Sequence, residues 1–576
     1  MSSTLSQPRA EGHEDAAGGA ALTSRLRETR PRLWRKRWPV LCVAAVAVLA
    51  LAPAMLRGVP SNIDLWNHYR LALPLYDAVR GGDLSPGWLA ESSGGYGDPS
   101  FRFYPPGAYY LLGATRALTG DWYSGSLVAF TLLSILGGLG VYFWARASLT
   151  RQQAMWAGVL YTLMPYHVNE LYQAFMLPEY AGAAILPFCF AFVERICRRK
   201  ERRDVVGLAV SFAALVVTHL PLTVIGGLSL LAYALLRMER GKRVATVLRL
   251  AAGAALGLAA TAFYWVTMLA ELTWVRTNTT QADLSVDYRF NFLFQTFSPE
   301  NMNVWWMNFI AFATLALVLP GAALFARGRV KRRGVRVAGL LFLLAFFMAT
   351  PLSRPLWAIL WPLREVQFPW RWLAIVSMAG SVVAASTFHF WTEKAHGRGR
   401  PLALLVAGGV VVSLTLTFSH VVREARYLSP EQFETTLRSI PGTPNVEYWA
   451  TVWAVQPLRE MSGQVEAAQR TVNINSWEPE RRTFEVGPGA RTEARVRTFY
   501  YPHWRATANG QALPVRAADD GVLLISLPAD AVAVELEFRE PARSRVAAAT
   551  SAVGAVLIGG LFVFGGRKRK REGDRR

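Results

Sequence analysis

PVLCVAAVAVLALAPAML, residues 39–56, is a charge-free run that directly follows the basic stretch Arg32 to Arg37. Such a run approaches the roughly 20 residues needed to cross a ~30 Å hydrocarbon layer. The long basic lead reads as a retained signal-anchor rather than a cleaved signal peptide. Moving outward, the same pattern recurs at 123–145, 152–166, 176–194, 205–218, 220–236, 245–268, 305–325, 337–351, 372–391, 401–418 and 546–565, which gives about twelve transmembrane helices in all. Composition agrees. Of 576 residues 52% are hydrophobic and 18% charged, too apolar in long runs for a soluble globule.

The net charge of +22 sits in short blocks between the runs: Arg32 to Arg37, Arg195 to Arg203, Arg237 to Arg243, Arg327 to Arg336, Lys394 to Arg400 and Arg567 to Arg571. Cytoplasmic loops carry charge in this way, so the blocks argue for positive-inside topology and against a nucleic-acid partner. If every block is inside, an even number of crossings separates neighbouring blocks and both termini lie in the cytoplasm. One apolar segment, Pro105 to Leu118, is then left over. It is expected as an interfacial helix in the first outer loop (57–122), with Tyr104, Tyr109 and Tyr110 at headgroup level.

The expected division of the chain is a disordered basic tail (1–38), a transmembrane core (39–418), an extracytoplasmic β domain (419–543), a last helix (544–566) and a basic tail (567–576). The β domain rests on alternating runs at Thr492 to Tyr500, Gly521 to Leu527 and Ala533 to Phe538, with an Asn509-Gly510 turn. Cys42, Cys189 and Cys197 lie in or beside predicted spans and form no disulfide framework or metal cluster.

Inside the spans little ionises. Arg249 and His389 sit near inner ends, which argues against a proton relay or ion path through mid-bilayer. The outer loops instead hold Asp64, His68, Arg102, His167, Glu170, Glu179, His219, Glu271, Asp283, Gln367 and Arg371. An enzyme acting at the interface on a charged, lipid-anchored substrate needs such a set: a carboxylate base, cations for phosphate, and aromatic walls. Asp64 and His68 are four residues apart, on one face if the segment is helical. His219-Leu220-Pro221 also reads simply as a helix start, with proline in the first turn.

Asn62-Ile63-Asp64-Leu65-Trp66-Asn67-His68, Gly94-Gly95-Tyr96-Gly97-Asp98-Pro99, Phe103-Tyr104-Pro105-Pro106, Pro165-Tyr166-His167, His219-Leu220-Pro221 and Gln367-Phe368-Pro369-Trp370-Arg371-Trp372 occur in an order that resembles a known family. These are the bacterial membrane proteins labelled "6-pyruvoyl-tetrahydropterin synthase related", which look like GT-C glycosyltransferases rather than pterin enzymes. The chain is also similar to YfhO-type membrane proteins, including Tyr500-Tyr501-Pro502-His503-Trp504-Arg505 near its C-terminus.

The resemblance implies a GT-C-like polytopic α-helical membrane protein that transfers a sugar from a polyprenyl-phosphate donor to an envelope glycan, lipid or protein acceptor. Its partners would be that lipid-linked donor, the acceptor and membrane lipids, at the bacterial plasma (inner) membrane. Asp64, with His68 and Glu179, is the implied catalytic set, and Asp64 fills the place of the family's first-loop acid, a base or metal ligand. Arg102, Tyr104, His167, Glu170, His219, Gln367 and Arg371 are the substrate-contacting candidates. The resemblance fixes no cofactor, and a divalent metal on Asp64 is left open. Where the family often has an arginine before the acid matching Glu179, this chain has Ala174, which moves the expected phosphate contact to Arg371 or Arg102. Two other classes fit the topology: a transporter or flippase of lipid-linked saccharide, and a non-catalytic envelope assembly protein. Transporters usually place polar groups and paired broken helices near the midplane, and no such pair is visible in the sequence.

Overall fold

A computed structural model describes residues 37–573, apart from 63, 200, 240, 242, 277–285, 329–330, 398, 441–450, 456–458 and 460. Residues 1–36 of the expected disordered tail and Asp283 lie outside the described residues, and Arg37 and Trp38 already belong to the first helix. All twelve apolar runs form helices. In chain order the elements up to the β domain are α1 (Arg37–Arg57), β1 (Val59–Ser61), α2 (Leu65–Arg80), α3 (Gly107–Thr119), α4 (Trp122–Ala145), α5 (Arg151–Thr162), α6 (Pro165–Tyr172), α7 (Leu177–Arg198), α8 (Arg202–Val216), α9 (Leu220–Arg237), α10 (Arg243–Ala260), α11 (Ala262–Glu271), α12 (Met302–Ala326), α13 (Arg333–Met348), α14 (Pro369–Ala395), α15 (Arg400–Glu424), β2 (Arg426–Leu428) and α16 (Pro430–Ser439).

Nine helices among the described residues are long and apolar enough to cross a membrane, or ten if a bent pair counts as one span. The runs at 152–166, 205–218 and 337–351 yield shorter helices of 12, 15 and 16 residues. Proline accounts for two of the breaks: Pro165 starts α6 after the two-residue interruption that ends α5, and at Pro351 the chain leaves α13 with an 86° bend. Burial sorts the long helices. The apolar window of α7 is 78% buried and that of α14 72%, against 11% for α15. The first two are the core of the bundle, and α15 presents its apolar side chains outward, as a lipid-facing helix does.

The arginine-rich loops gather at one end of the bundle. Arg198 reaches the Ala147 carbonyl, Arg332 reaches Ser148 O, and Arg237 pairs through Nε with Glu194 Oε2 at 2.7 Å. Glu194 is near the end of α7, and Glu179, in its first turn, faces the opposite end. There the first loop folds back: β1 pairs antiparallel with β2, Val59 opposite Leu428.

The nine further strands are β3 (Val465–Ala467), β4 (Val472–Trp477), β5 (Arg481–Val486), β6 (Thr492–Phe499), β7 (Trp504–Ala508), β8 (Gln511–Leu513), β9 (Val515–Ala517), β10 (Val522–Leu527) and β11 (Val532–Phe538). They make two antiparallel sheets, ordered β3-β6-β10-β9 and β4-β5-β11-β7-β8. Alternate residues of both sheets, such as Val496, Ile525, Phe484 and Leu536, share one core, so the sheets form a sandwich. Asn509 (φ +50°) and Gly510 (φ +76°) close the two-residue β7–β8 hairpin as read from the sequence. A final helix, α17 (Ala542–Val563), is long and apolar enough to cross a membrane. All three cysteines are free thiols.

Candidate functional site

Asp64 immediately precedes α2, and its carbonyl accepts the His68 N–H at 3.0 Å, so the two side chains lie one helical turn apart as the spacing predicts. Asp64 is only partly buried, and its Oδ1 accepts from Asn67 Nδ2 at 3.3 Å. His68 is 4% exposed. Its Nδ1 meets the Tyr109 hydroxyl at 2.9 Å, while Nε2 is buried without a protein partner among the described residues. Burial pushes the imidazole down to about 4, against the pull of the Asp64 carboxylate. His68 is therefore neutral at pH 7 and acts through hydrogen bonds, not charge.

Tyr109 projects from α3. That helix starts after Pro105-Pro106 and stops at Gly120, whose φ of +93° and N–H bond to Arg116 O make a left-handed cap. Tyr104 lies beside Tyr109, with ring centroids 6.0 Å apart. Burial and the Asp64 carboxylate push its phenol up to about 12, so it too stays neutral.

Behind this wall lies a buried ionic group. Glu179 enters at the first turn of α7, where the helix dipole favours an acid. Its Oε2 accepts from Arg371 Nε at 2.8 Å and its Oε1 from the Tyr166 hydroxyl at 2.6 Å. Arg371 also donates from Nη1 to Val366 O at 2.6 Å and to Gln367 Oε1 at 3.4 Å, and its guanidinium stacks over Phe368 at 4.9 Å. Gln367 and Phe175, on the two turns that lead into α14 and α7, carry φ of +66° and +53°. Non-glycine residues adopt this region at a cost, and such backbone recurs where a site over-determines it.

Glu170 is 3% exposed and within electrostatic reach of Glu179, Arg371 and Asp64. Its Oε1 accepts weakly from Asn169 Nδ2 at 3.4 Å, and Oε2 has no protein partner among the described residues. His219 caps α9, accepting from Leu222 N at 3.3 Å, and its Nε2 stands 4.0 Å from Glu179 Oε2. It is both the helix start and a neighbour of the acid.

The structure thus brings Asp64, His68, Tyr104, Glu170, Glu179, His219, Gln367 and Arg371 into one region. The other two expected site residues have different surroundings. His167 is sandwiched between Tyr161 and Tyr180, at 4.7 and 4.6 Å, and borders a small cavity with Ser134, Thr162 and Tyr172. Arg102 binds Glu271 and Glu540. Two supporting residues were not among the site candidates: Tyr166, quoted only within Pro165-Tyr166-His167, as the partner of Glu179, and Trp306, which donates to Asn169 Oδ1 at 2.6 Å. Only the placement of Tyr166 one residue after Pro165, in a helix first turn, signalled a fixed orientation. Among the described residues no three His, Cys, Asp or Glu side chains gather where they could hold a metal ion.

A partly accessible carboxylate, a neutral imidazole, aromatic walls and a buried acid–arginine pair at one end of an apolar helix bundle define a polytopic membrane protein with a polar interfacial site. More particularly, the chain belongs to the 6-pyruvoyl-tetrahydropterin synthase related domain family of membrane proteins, which matches residues 101–426. Among solved structures it is similar to the oligosaccharyltransferase of Archaeoglobus fulgidus in its apo form, with 13% identity, a TM-score of 0.43, and 70% of this chain and 58% of that one covered. It is similar also to ArnT from Cupriavidus metallidurans in the apo state, with 15% identity, a TM-score of 0.41, and 71% and 77% covered. A third is the arabinofuranosyltransferase AftD from Mycobacteria, with 18% identity, a TM-score of 0.45, and 69% and 28% covered. The chain spans less than two thirds of the oligosaccharyltransferase and of AftD. No curated protein matches it.

Proposed function

We propose that the protein is a membrane glycosyltransferase that takes a sugar from a polyprenyl-phosphate donor and passes it to a hydroxyl of an envelope glycan, lipid or protein. The observation that carries this reading is the position of Asp64. It is the partly accessible acid of the group, one turn from a neutral histidine and beside the Tyr104–Tyr109 wall. Asp64 accepts the proton of the acceptor hydroxyl. The hydroxyl oxygen forms the new bond to the anomeric carbon, and the bond to the donor phosphate breaks with its electron pair leaving on the polyprenyl phosphate. Direct displacement inverts that carbon. His68, being neutral, orients acceptor or Asp64 and does not serve as a phosphate cation.

Arg371 is already engaged by Glu179 and the Val366 carbonyl. A donor phosphate at this guanidinium shares it with Glu179, and the pair presents a fixed donor direction rather than a free positive charge. The site faces the non-cytoplasmic side in this reading, because the arginine-rich loops gather at the opposite end. Both termini are then cytoplasmic.

The test is incubation of the purified protein in lipid nanodiscs with polyprenyl-phosphate sugars and a panel of acceptors. A transferase releases free polyprenyl phosphate in proportion to sugar transferred. Intact donor with every sugar and acceptor tried, alongside movement of that donor between leaflets, would replace the transferase with a flippase.

A further inference from the structure

Four consecutive residues, Phe101-Arg102-Phe103-Tyr104, straddle two cores. Phe101 is buried in the core of the helix bundle and Tyr104 packs against it, whereas Phe103 is buried with the β sandwich. Arg102, between them, is 5% exposed and donates to Glu271 twice, from Nε to Oε2 at 2.6 Å and from Nη2 to Oε1 at 2.8 Å. Glu271 ends α11 and is fully buried. It also accepts from the Tyr501 hydroxyl at 2.6 Å, from His503 Nε2 at 2.9 Å and from Arg543 Nη2 at 2.9 Å. Glu540, just before α17, takes the remaining face of Arg102. Burial alone would raise the Glu271 carboxyl, but the bonds from Arg102, His503 and Tyr501 outweigh it and hold the group well below the usual range.

This knot ties together the first loop, α11, the sandwich and the entry to α17. The loop is built into the sandwich on both sides of it. Trp88 packs on Trp504 and Phe538 at 5.7 and 5.6 Å, and Tyr96 O accepts from Phe499 N at 2.9 Å. On the other side, Phe103 O accepts from the Tyr264 hydroxyl at 2.7 Å. Tyr104 follows immediately, beside Tyr109 and hence beside His68.

We infer that Glu271 is a positioning residue: through Arg102 it makes the β sandwich part of the wall that sets Tyr104, Tyr109 and His68 in place. The sandwich is then a working component of the site rather than a tethered accessory. The structural claim stands on the contacts themselves, and its catalytic consequence rests on the transferase reading. Tyr501 and His503 both reach this carboxylate from the turn that joins β6 to β7, where the Trp504 N–H donates to Tyr501 O at 3.0 Å.

The test uses the full chain in nanodiscs and hydrogen–deuterium exchange, with Tyr501→Phe as the mild variant, Glu271→Gln as the strong one, and the half-buried Glu493→Gln, in an ion pair with Arg516 on the sandwich surface, as control. Exchange at residues 101–109 is expected to accelerate at least several-fold in both knot variants and to stay unchanged in the control. In active preparations kcat falls by a similar factor, while KM for the lipid-linked donor stays within twofold. Tyr501→Phe keeps the ring packing, so it remains informative where Glu271→Gln fails to fold. Unchanged exchange at 101–109 in a folded Tyr501→Phe protein overturns the inference, and so does accelerated exchange with undiminished kcat. An inactive wild type refutes the transferase reading alone, and exchange still decides whether the sandwich holds the wall.

Discussion

Glu179 and Arg371 stand 192 positions apart in the chain and 2.8 Å apart in the fold, both almost fully buried. Taking one partner from such a pair leaves an uncompensated buried charge, which costs about 3–5 kcal/mol, whereas replacing both with uncharged side chains of similar volume is often near neutral. Arg371→Met is therefore expected to lower the unfolding temperature in detergent far more than the double variant Glu179→Gln/Arg371→Met does. Equal losses would mean that the pair is not the buried ionic contact described. Two other residues set pH dependence with opposite sign. His68 titrates at about 4 when folded against 6.5 in its ordinary state, so the unfolded chain takes up a proton that the folded chain refuses, and stability falls as pH drops from 6.5 towards 4. Burial, with Asp83 and Glu540 nearby, pushes the Glu480 carboxyl up to about 7 from 4.5. Folded protein then keeps a proton that unfolded protein loses, and stability falls as pH rises from 4.5 to 7. The two windows overlap and offset each other between pH 4.5 and 6.5, so unfolding temperatures measured across that range should fall with rising pH in His68→Gln and rise with it in Glu480→Gln.

At the scale of elements, close backbone contacts position the wall of the site. Gly107 begins α3, with its N–H donating to Val217 O at 2.7 Å, and a Cβ there would meet that carbonyl at 2.7 Å and Thr218 Oγ1 at 2.8 Å. Gly107→Ala has to push α3 off the α8–α9 turn, an overpacking cost of about 1–3 kcal/mol. It should weaken the Tyr109–His68 contact, read as a lower unfolding temperature together with a drop in turnover. At Gly58, φ is +124° and a Cβ would come within 2.1 Å of Leu428 O, so β1–β2 pairing requires glycine there. The sequence shows the helices because the apolar runs are long and most breaks are charged, and it shows the sandwich because three strands alternate and Asn509-Gly510 marks a hairpin. It also places Asp64 against His68, a contact of one turn. It does not show where a span breaks inside an apolar run, as at Pro165. Nor does it show that Arg102 meets Glu271, 169 positions along the chain, and Glu540, 438 positions along, because those partners are set by tertiary packing.

For the whole molecule, charge segregates. Arginine-rich loops meet at one end, and the acid–arginine site, the first loop and the sandwich meet at the other. In intact cells a cysteine at exposed Ser85 should react with an impermeant thiol reagent, and one at exposed Gln152 should react only after permeabilisation. The reverse pattern would invert the proposed orientation and put the site in the cytoplasm. In the proposed reading, the donor's lipid chain runs along the apolar helices and its sugar sits at Asp64. The most direct measurement is the release of polyprenyl phosphate in a single turnover by wild type and by Asp64→Asn in nanodiscs, with donor binding measured on the same preparations. The account predicts that the variant binds donor within a few-fold of wild type and releases no product; release at the wild-type rate would contradict it.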